Sequence, residues 1–366
     1  MEVAPARCSA QNGGLPVGKP RMIPATPLFR HPGPSGWQQS LQDCVTDPGA
    51  LVASLGLGAE WLEPARHAAE RFPLRVPKGY VARMRRGDPH DPLLRQVLPL
   101  GVELAASPDW YVADPVGDLG ALAGPGLLHK YAGRALLIVT GACAVHCRYC
   151  FRREFPYSAH TAARGGFAAA LDSIAADTSI TEVLLSGGDP LTLGDRRLGE
   201  LLRALDAIGH VRRVRVHTRM PVVLPERVDA GLLDAWSGSL RMQRAMVIHA
   251  NHANELRGAA DVRRALSALR EGGTVLLNQS VLLAGINDSV DALADLSETL
   301  FEHGVLPYYL HALDPVRGAA HFDVPELTAR RLVAELTARL PGYLVPRLVR
   351  EVAGAPAKVM LPPASR

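Results

Sequence analysis

The stretch Arg134-Ala-Leu-Leu-Ile-Val-Thr-Gly-Ala-Cys143-Ala-Val-His-Cys147-Arg-Tyr-Cys150 decides how this chain reads. Residues 135–140 form a short apolar run that predicts a strand. Three cysteines follow it at C-x3-C-x2-C spacing. Thiolates are the usual ligands of iron–sulfur clusters, normally four to a cubane, so three of them leave one iron without a protein ligand. An open iron can bind a substrate or cofactor, much as an open position marks a catalytic zinc site. Two plainer readings compete: a zinc site completed by His146 or a distant cysteine, and three buried cysteines with no ligand. Structural zinc pairs two C-x2-C halves, or joins C-x2-C to two histidines at helical spacing, and neither pattern is present. Clustering at a strand end counts against unliganded thiols.

Further short apolar runs cover 182–186, 211–217, 245–250, 274–280 and 305–310. Between them Leu198, Leu201, Leu202, Leu205 and Ile208 recur at helical spacing, as do Val262, Leu266 and Leu269, and then Leu293, Leu296 and Leu300. Strands alternating with helices predict right-handed βαβ units and a parallel sheet. Such units form an α/β fold of the open, partial (β/α)6 TIM-like barrel type, in which ligands bind beyond the C-terminal strand ends. The chemically unusual residues fall there: Cys143 after the first strand, Ser186-Gly187-Gly188-Asp189 after the second and His217-Thr218-Arg219 after the third. His249, Asn251 and His252, then Asn278-Gln279-Ser280, then 311–314 follow the other three.

Ahead of the barrel, residues 37–126 read as mainly helical with Pro/Gly breaks and no catalytic motif of their own. Thr46-Asp47-Pro48 marks a helix start. Residues 1–36 are rich in Pro and Gly and are expected to form an extended or poorly ordered arm. The expected divisions are 1–36, 37–126, a core over 127–340 and a C-terminal segment over 341–366.

With 366 residues, 48% of them hydrophobic, the chain can bury a large core. A net charge of +4 is small for this length and points to neither nucleic acid nor a membrane surface. No apolar run reaches the length of a membrane span, and the N-terminus lacks the pattern of a secretory signal. Of five cysteines, Cys8 and Cys44 stand apart from the trio, which is no disulfide framework. A reducing cytoplasm is the expected location.

The cysteine spacing, with Tyr149 between the second and third cysteines, resembles the signature of the radical S-adenosylmethionine (SAM) enzymes. From about His129 to Lys358 the chain resembles the lysine 2,3-aminomutase family, and most closely its short branch that serves β-lysylation of elongation factor P. The resemblance is carried by 136–143, by Cys147-Arg-Tyr-Cys-Phe-Arg-Arg153, by Leu184-Leu-Ser-Gly-Gly-Asp189, by Asn278-Gln-Ser-Val-Leu-Leu283 and by Pro307-Tyr-Tyr-Leu310. It implies a [4Fe–4S] cluster on Cys143, Cys147 and Cys150, SAM bound near Ser186, Gly187, Gly188 and Asp189, and pyridoxal 5′-phosphate (PLP). Lys358 would form the PLP Schiff base, although the glycine-rich stretch that precedes this lysine in the family is thinned here to Gly354-Ala-Pro-Ala357. The PLP phosphate would meet Lys130, Arg134 and Gln279, with Lys130 standing where the family has an arginine, so the charge stays and the fork is lost.

Arg152 would take the substrate carboxylate, and Asp314 and Glu351 the side-chain ammonium of lysine, Glu351 replacing an aspartate. Arg148 and Arg153 read as readily as an exposed basic patch. The implied reaction is amino migration from C2 to C3 of L-lysine, giving (R)-β-lysine for elongation factor P. The implied partners are lysine and an electron donor such as flavodoxin or ferredoxin; a homo-oligomer is compatible with the sequence. The longer members carry a cysteine-bearing extension that this chain lacks, which ends eight residues after Lys358. The alternatives are a radical SAM enzyme acting on another amino acid such as glutamate, which Asp314 and Glu351 would repel, and one that works without PLP. Cys8, Cys44, His249, His252, His311 and His321 receive no assigned role.

Overall fold

The computed structural model describes Met1 and residues 36–162, 167–238 and 241–364. The expected arm over 1–36, with Cys8, lies outside these residues except at its ends. Gly36–Arg366 is one compact unit.

A ten-stranded sheet runs in chain order: β1 (Leu122–Gly124), β2 (Leu127–Tyr131), β3 (Arg134–Thr140), β4 (Glu182–Gly187), β5 (Arg213–Thr218), β6 (Gln243–Ile248), β7 (Val275–Val281), β8 (Leu306–His311), β9 (Arg347–Arg350) and β10 (Val359–Met360). From β3 to β9 every neighbouring pair is parallel. β1–β2–β3 and β9–β10 are antiparallel. The fold is thus an open, partial barrel, and the six expected runs all lie on its parallel strands. One correction concerns the ends. The C-terminal segment adds a further parallel strand, β9, and a hairpin partner, β10, while β1 and β2 lie at the junction with the helical region. β1 and β10 have three and two residues, too few for any periodicity to register.

The helical repeats are where spacing placed them. Asp195–Asp206 buries Leu198, Leu201, Leu202 and Leu205 against the sheet, each worth about 1.5–3 kcal/mol of burial. Ala260–Glu271 and Val290–Glu302 do the same with Val262, Leu266 and Leu269 and with Leu293, Leu296 and Leu300. The Asp47 side chain caps Pro48–Leu55 by accepting from Ala50 N at 2.7 Å. Trp37, Leu51, Leu94 and Leu98 share one buried core with Leu137, Val183 and Val214 of the sheet. Among the described residues no helix is long and apolar enough to cross a membrane.

Alternation along the strands then fixes what faces inward. Leu137 and Val139, Val183 and Leu185, Val214 and Val216, and Leu276 pack in the core beneath the helices. Their neighbours of opposite parity, Arg134, Ser186, Arg215, His217 and Gln279, therefore face the lumen, as do Tyr309 and His311 beside outward Leu310. A packed barrel fills this space with branched aliphatics; here Leu136, Ile138, Leu184 and Leu277, of the same parity, share it with these polar groups.

Candidate functional site

The cysteine loop leaves β3 and is drawn against the end of β4. Gly188 N donates to Thr140 O at 2.8 Å and Asp189 N to Ala142 O at 2.7 Å. The approach is so close that a Cβ on Gly187 would lie 2.5 Å from Thr140 O, and one on Gly188 2.3 Å from Ala142 O. Gly187 also has φ of 118°, a conformation glycine alone takes easily. The glycines thus admit the cysteine loop itself. Asp189 spends both carboxylate oxygens locally: Oδ1 accepts from Leu191 N and Thr218 Oγ1, Oδ2 from Arg219 N and Met220 N. Both carboxylate oxygens are thus engaged in tying the end of β4 to the end of β5. Ser186 Oγ accepts from Arg152 Nη1 at 3.1 Å.

The three thiols sit partly buried. Burial, and then the charges of Cys150, Asp189 and Cys147, push the Cys143 thiol well up. Burial first and Cys147 next push Cys150 up to about 11. Without a cationic centre both stay protonated at neutral pH, so this is a set of thiols that a bound metal cluster would turn into thiolates. Among the described residues no three His, Cys, Asp or Glu converge on a point where one metal ion could sit. A cubane spreads its ligands around a cage and needs no such convergence. His146 does not converge with the thiols on a point where one zinc ion could sit; its Nδ1 is bonded to Pro73 O at 2.8 Å and its ring stacks on Phe72.

A second group of polar side chains gathers where the two edges of the open sheet approach. Asp118 is buried and salt-bridges Lys130 Nζ at 2.6 Å and Arg152 Nε at 2.6 Å. Lys130 also donates to Val116 O at 2.7 Å and lies 3.6 Å from Glu351. The β9–β10 register pairs Val359 with Arg350, which sets Lys358 opposite Glu351, and the two side chains form an ion pair. Tyr131 OH, from β2, donates to Glu351 Oε1 at 2.6 Å and so links the first edge of the sheet to the last. Of the three residues expected at a phosphate, Arg134 stacks on Tyr131 and acts electrostatically on Tyr309. Gln279 pairs with Tyr309 in the strand register. The ammonium of Lys130 is instead committed to Asp118.

Several strong groups here lack partners. Asp314 Oδ1, His217 Nε2, His311 Nε2 and Arg134 Nε are shielded from water without a hydrogen bond. Burial raises Asp314 to about 7, against the lowering pull of Lys358, and Glu351 adds to the rise. Burial, with Arg215 and Lys358 next, holds His217 well below the usual histidine range; burial and Lys358 do the same to His311. Both imidazoles are therefore neutral. Eight further atoms of this kind occur elsewhere among the described residues, Arg219 Nε among them; what sets the carboxylate and the two imidazoles apart is that the charge of Lys358 acts on all three. The residues fit an anionic, carbonyl-bearing cofactor and a cationic substrate.

Arg148 and Arg153 are no exposed patch. Arg148 is fully buried and forks onto Glu103 at 2.8 and 2.6 Å, and Arg153 joins the same carboxylate at 2.9 Å. Asp118, Glu103, Gln96 and Tyr80 all come from the helical region, which carries no motif to announce them. An open hollow of about 600 Å³ between His252, Asp291, Asp295, Glu298 and Arg339 lies away from these groups, and its Asp291 and Asp295 are already paired with Arg339 and Arg257.

No protein-family model matches the chain. It is 46% identical over 331 residues to L-lysine 2,3-aminomutase of Escherichia coli strain K12, covering 90% of this chain and 95% of that protein. It is 40% identical over 340 residues to L-lysine 2,3-aminomutase of Haemophilus influenzae, covering 93% and 99%. Among solved structures, a radical SAM methyltransferase from Sphaerobacter thermophilus superposes with a TM-score of 0.43 at 21% identity, over 61% of this chain and 68% of that one.

Proposed function

The chain belongs to the L-lysine 2,3-aminomutase family, and from that premise we propose that it converts L-lysine to (R)-β-lysine by moving the amino group from C2 to C3, using a [4Fe–4S] cluster, SAM and PLP. The observation that carries the substrate is Asp314. Its Oδ1 is buried with no hydrogen-bond partner, within electrostatic reach of Glu351. An isolated buried carboxylate is costly until a cation meets it, and the ε-ammonium of lysine is such a cation. A glutamate side chain would be repelled.

When bound, the cluster with SAM supplies radical hydrogen abstraction and PLP supplies the carbonyl chemistry that lets an amine migrate; the chain's own work is positioning. Cys143, Cys147 and Cys150 would hold three irons, and Ser186, Gly187 and Gly188 would border SAM. Lys358 would anchor PLP, with Arg134 and Gln279 toward its phosphate and Lys130 nearby. Arg152, its Nε held by Asp118 and its Nη1 on Ser186, would receive the α-carboxylate in one fixed orientation. Glu351 forms an ion pair with the Lys358 ammonium. If Lys358 anchors PLP, that carboxylate would be free to join Asp314 around the substrate ammonium. Fixed geometry and exclusion of water from the lumen are the protein's levers on rate.

β-Lysine would go on to modify elongation factor P in the cytoplasm, and a flavodoxin or ferredoxin would deliver the electron. Anaerobically reconstituted protein, given SAM, PLP and dithionite with either lysine or glutamate, tests the reading. β-Lysine from lysine and no β-glutamate from glutamate is expected. Turnover of glutamate, or equal turnover without PLP, would contradict it.

A further inference from the structure

Arg219 follows β5 and is 6% exposed. Its Nη1 donates to Cys147 Sγ at 2.8 Å and to Tyr149 OH at 2.9 Å. Its Nη2 donates to Glu255 Oε2 at 2.8 Å, Gln96 Oε1 at 2.6 Å and Tyr80 OH at 3.1 Å. Its backbone N–H is held by Asp189 Oδ2 at 2.7 Å. Glu255 is wholly buried and also accepts from Asn251 N at 2.8 Å and Gln96 Nε2 at 3.1 Å. Groups from the helical region, the cysteine loop, the segment after β4 and the segment after β6 thus fix one cation against one ligand sulfur. Cys150 receives the backbone N–H of Arg152 instead.

A buried ion pair adds little stability over well-packed apolar residues of the same volume. Its position calls for another explanation. Hydrogen bonds to ligand sulfurs and nearby charge set the potentials of iron–sulfur clusters. One-electron reduction adds a negative charge to the cluster, and a cation locked in hydrogen-bond contact with a ligand sulfur favours the more negative state.

We propose that Arg219 is a positioning residue for electron entry: its guanidinium, held by Glu255, hydrogen-bonds Cys147 Sγ and raises the reduction potential of the bound cluster. The electron comes from an external one-electron donor, passes to the cluster and leaves the donor oxidised by one electron; no proton leaves Arg219. This rests on the cluster reading of the cysteine loop. The consequence is an enzyme whose cluster a moderate biological reductant can reduce, because the fold supplies part of the driving force.

The test compares wild type with the double variant Arg219→Met, Glu255→Gln, which removes both charges and leaves no buried ion unpaired. Each is reconstituted anaerobically, assayed for iron and sulfide, and titrated with SAM present while the reduced cluster is followed by EPR. The double variant should hold a full cluster whose reduced-to-oxidised ratio at a fixed potential is about tenfold lower, or about 59 mV for a one-electron couple. Arg219→Lys should recover part of that loss. An unchanged ratio in a fully loaded double variant overturns the proposal.

If the variants lose the cluster, wild type labelled with guanidino-¹⁵N arginine decides the matter. Pulsed EPR of the reduced cluster should show a ¹⁵N coupling, and its absence overturns the proposal. A wild-type chain that takes up no four-iron cluster overturns the cluster reading as well, and that result is seen before any variant is made.

Discussion

At Gly188 the backbones of two strand ends are pressed together until a single added carbon would sit 2.3 Å from Ala142 O, and the adjacent Asp189 has both oxygens bonded. Around Asp314 the opposite holds. A carboxylate oxygen, two imidazole nitrogens and a guanidinium nitrogen are buried with nothing to bond. Both regions lie in one lumen, at the two flanks of one open sheet. The first is finished by the chain itself and so holds a rigid frame for three sulfurs. The second is finished only by what binds there. The contrast is one of degree, since Arg219 Nε beside the cysteine loop is also without a partner, but the convergence of four such atoms near Asp314 suits a polar ligand.

The comparison breaks most completely if the frame loses a ligand. Cys147→Ala should abolish the four-iron EPR signal and lower turnover by more than about a thousandfold, with little change in the far-UV circular dichroism; a variant that keeps both signal and turnover removes the frame from the mechanism. On the waiting side, Asp314→Asn should lower kcat/KM for lysine by about a hundredfold, about 3 kcal/mol for a lost charge-assisted contact, with the loss mainly in KM.

The same carboxylate sets a pH dependence. Burial, opposed by Lys358 and reinforced by Glu351, places it at about 7 in the ligand-free chain. A cation binds the ionised form, so KM for lysine should rise about tenfold per pH unit below 7 and level off above it. Steady-state kinetics from pH 6 to 8 reads this directly, and Asp314→Asn should flatten the profile.

A smaller effect sharpens the contrast. Gly188→Ala forces a Cβ toward backbone that cannot give way, so the thermal midpoint should fall by an amount equal to about 1–3 kcal/mol, with reduced iron content and an almost unchanged KM for lysine. The reverse split, a KM change with intact stability, would mean that Gly188 serves a ligand and not the frame. Smallest of all, Glu351→Asp should change KM for lysine only about threefold, because Tyr131 and Lys358 can follow the shorter carboxylate.

The parallel strands β3 to β8 were legible because each is a run of apolar residues set between amphipathic helices, and the cysteine trio was visible as a spacing at the end of the first of them. The edges were not. β10 is two residues long, and its meaning lies in a register that sets Lys358 opposite Glu351, which no local pattern encodes. Asp118 was equally silent: a carboxylate between Gly117 and Leu119 looks like any surface aspartate until the fold brings Lys130 and Arg152 to it. Arg148 and Arg153 failed in the other direction, since their burial depends on Glu103, far earlier in the chain. Asp189 shows the same limit. Its motif was visible, but what consumes its oxygens is a neighbouring strand.

The vacancy left by three sulfurs around four irons is tested most directly by Mössbauer and electron–nuclear double resonance spectroscopy of the ⁵⁷Fe-reconstituted chain, before and after SAM is added. One iron in four should change its coordination when SAM arrives, with the nitrogen and oxygen of the methionine moiety bound to it. Four irons indifferent to SAM, or a cubane that persists when Cys143, Cys147 and Cys150 are all replaced by alanine, would contradict the reading at its root.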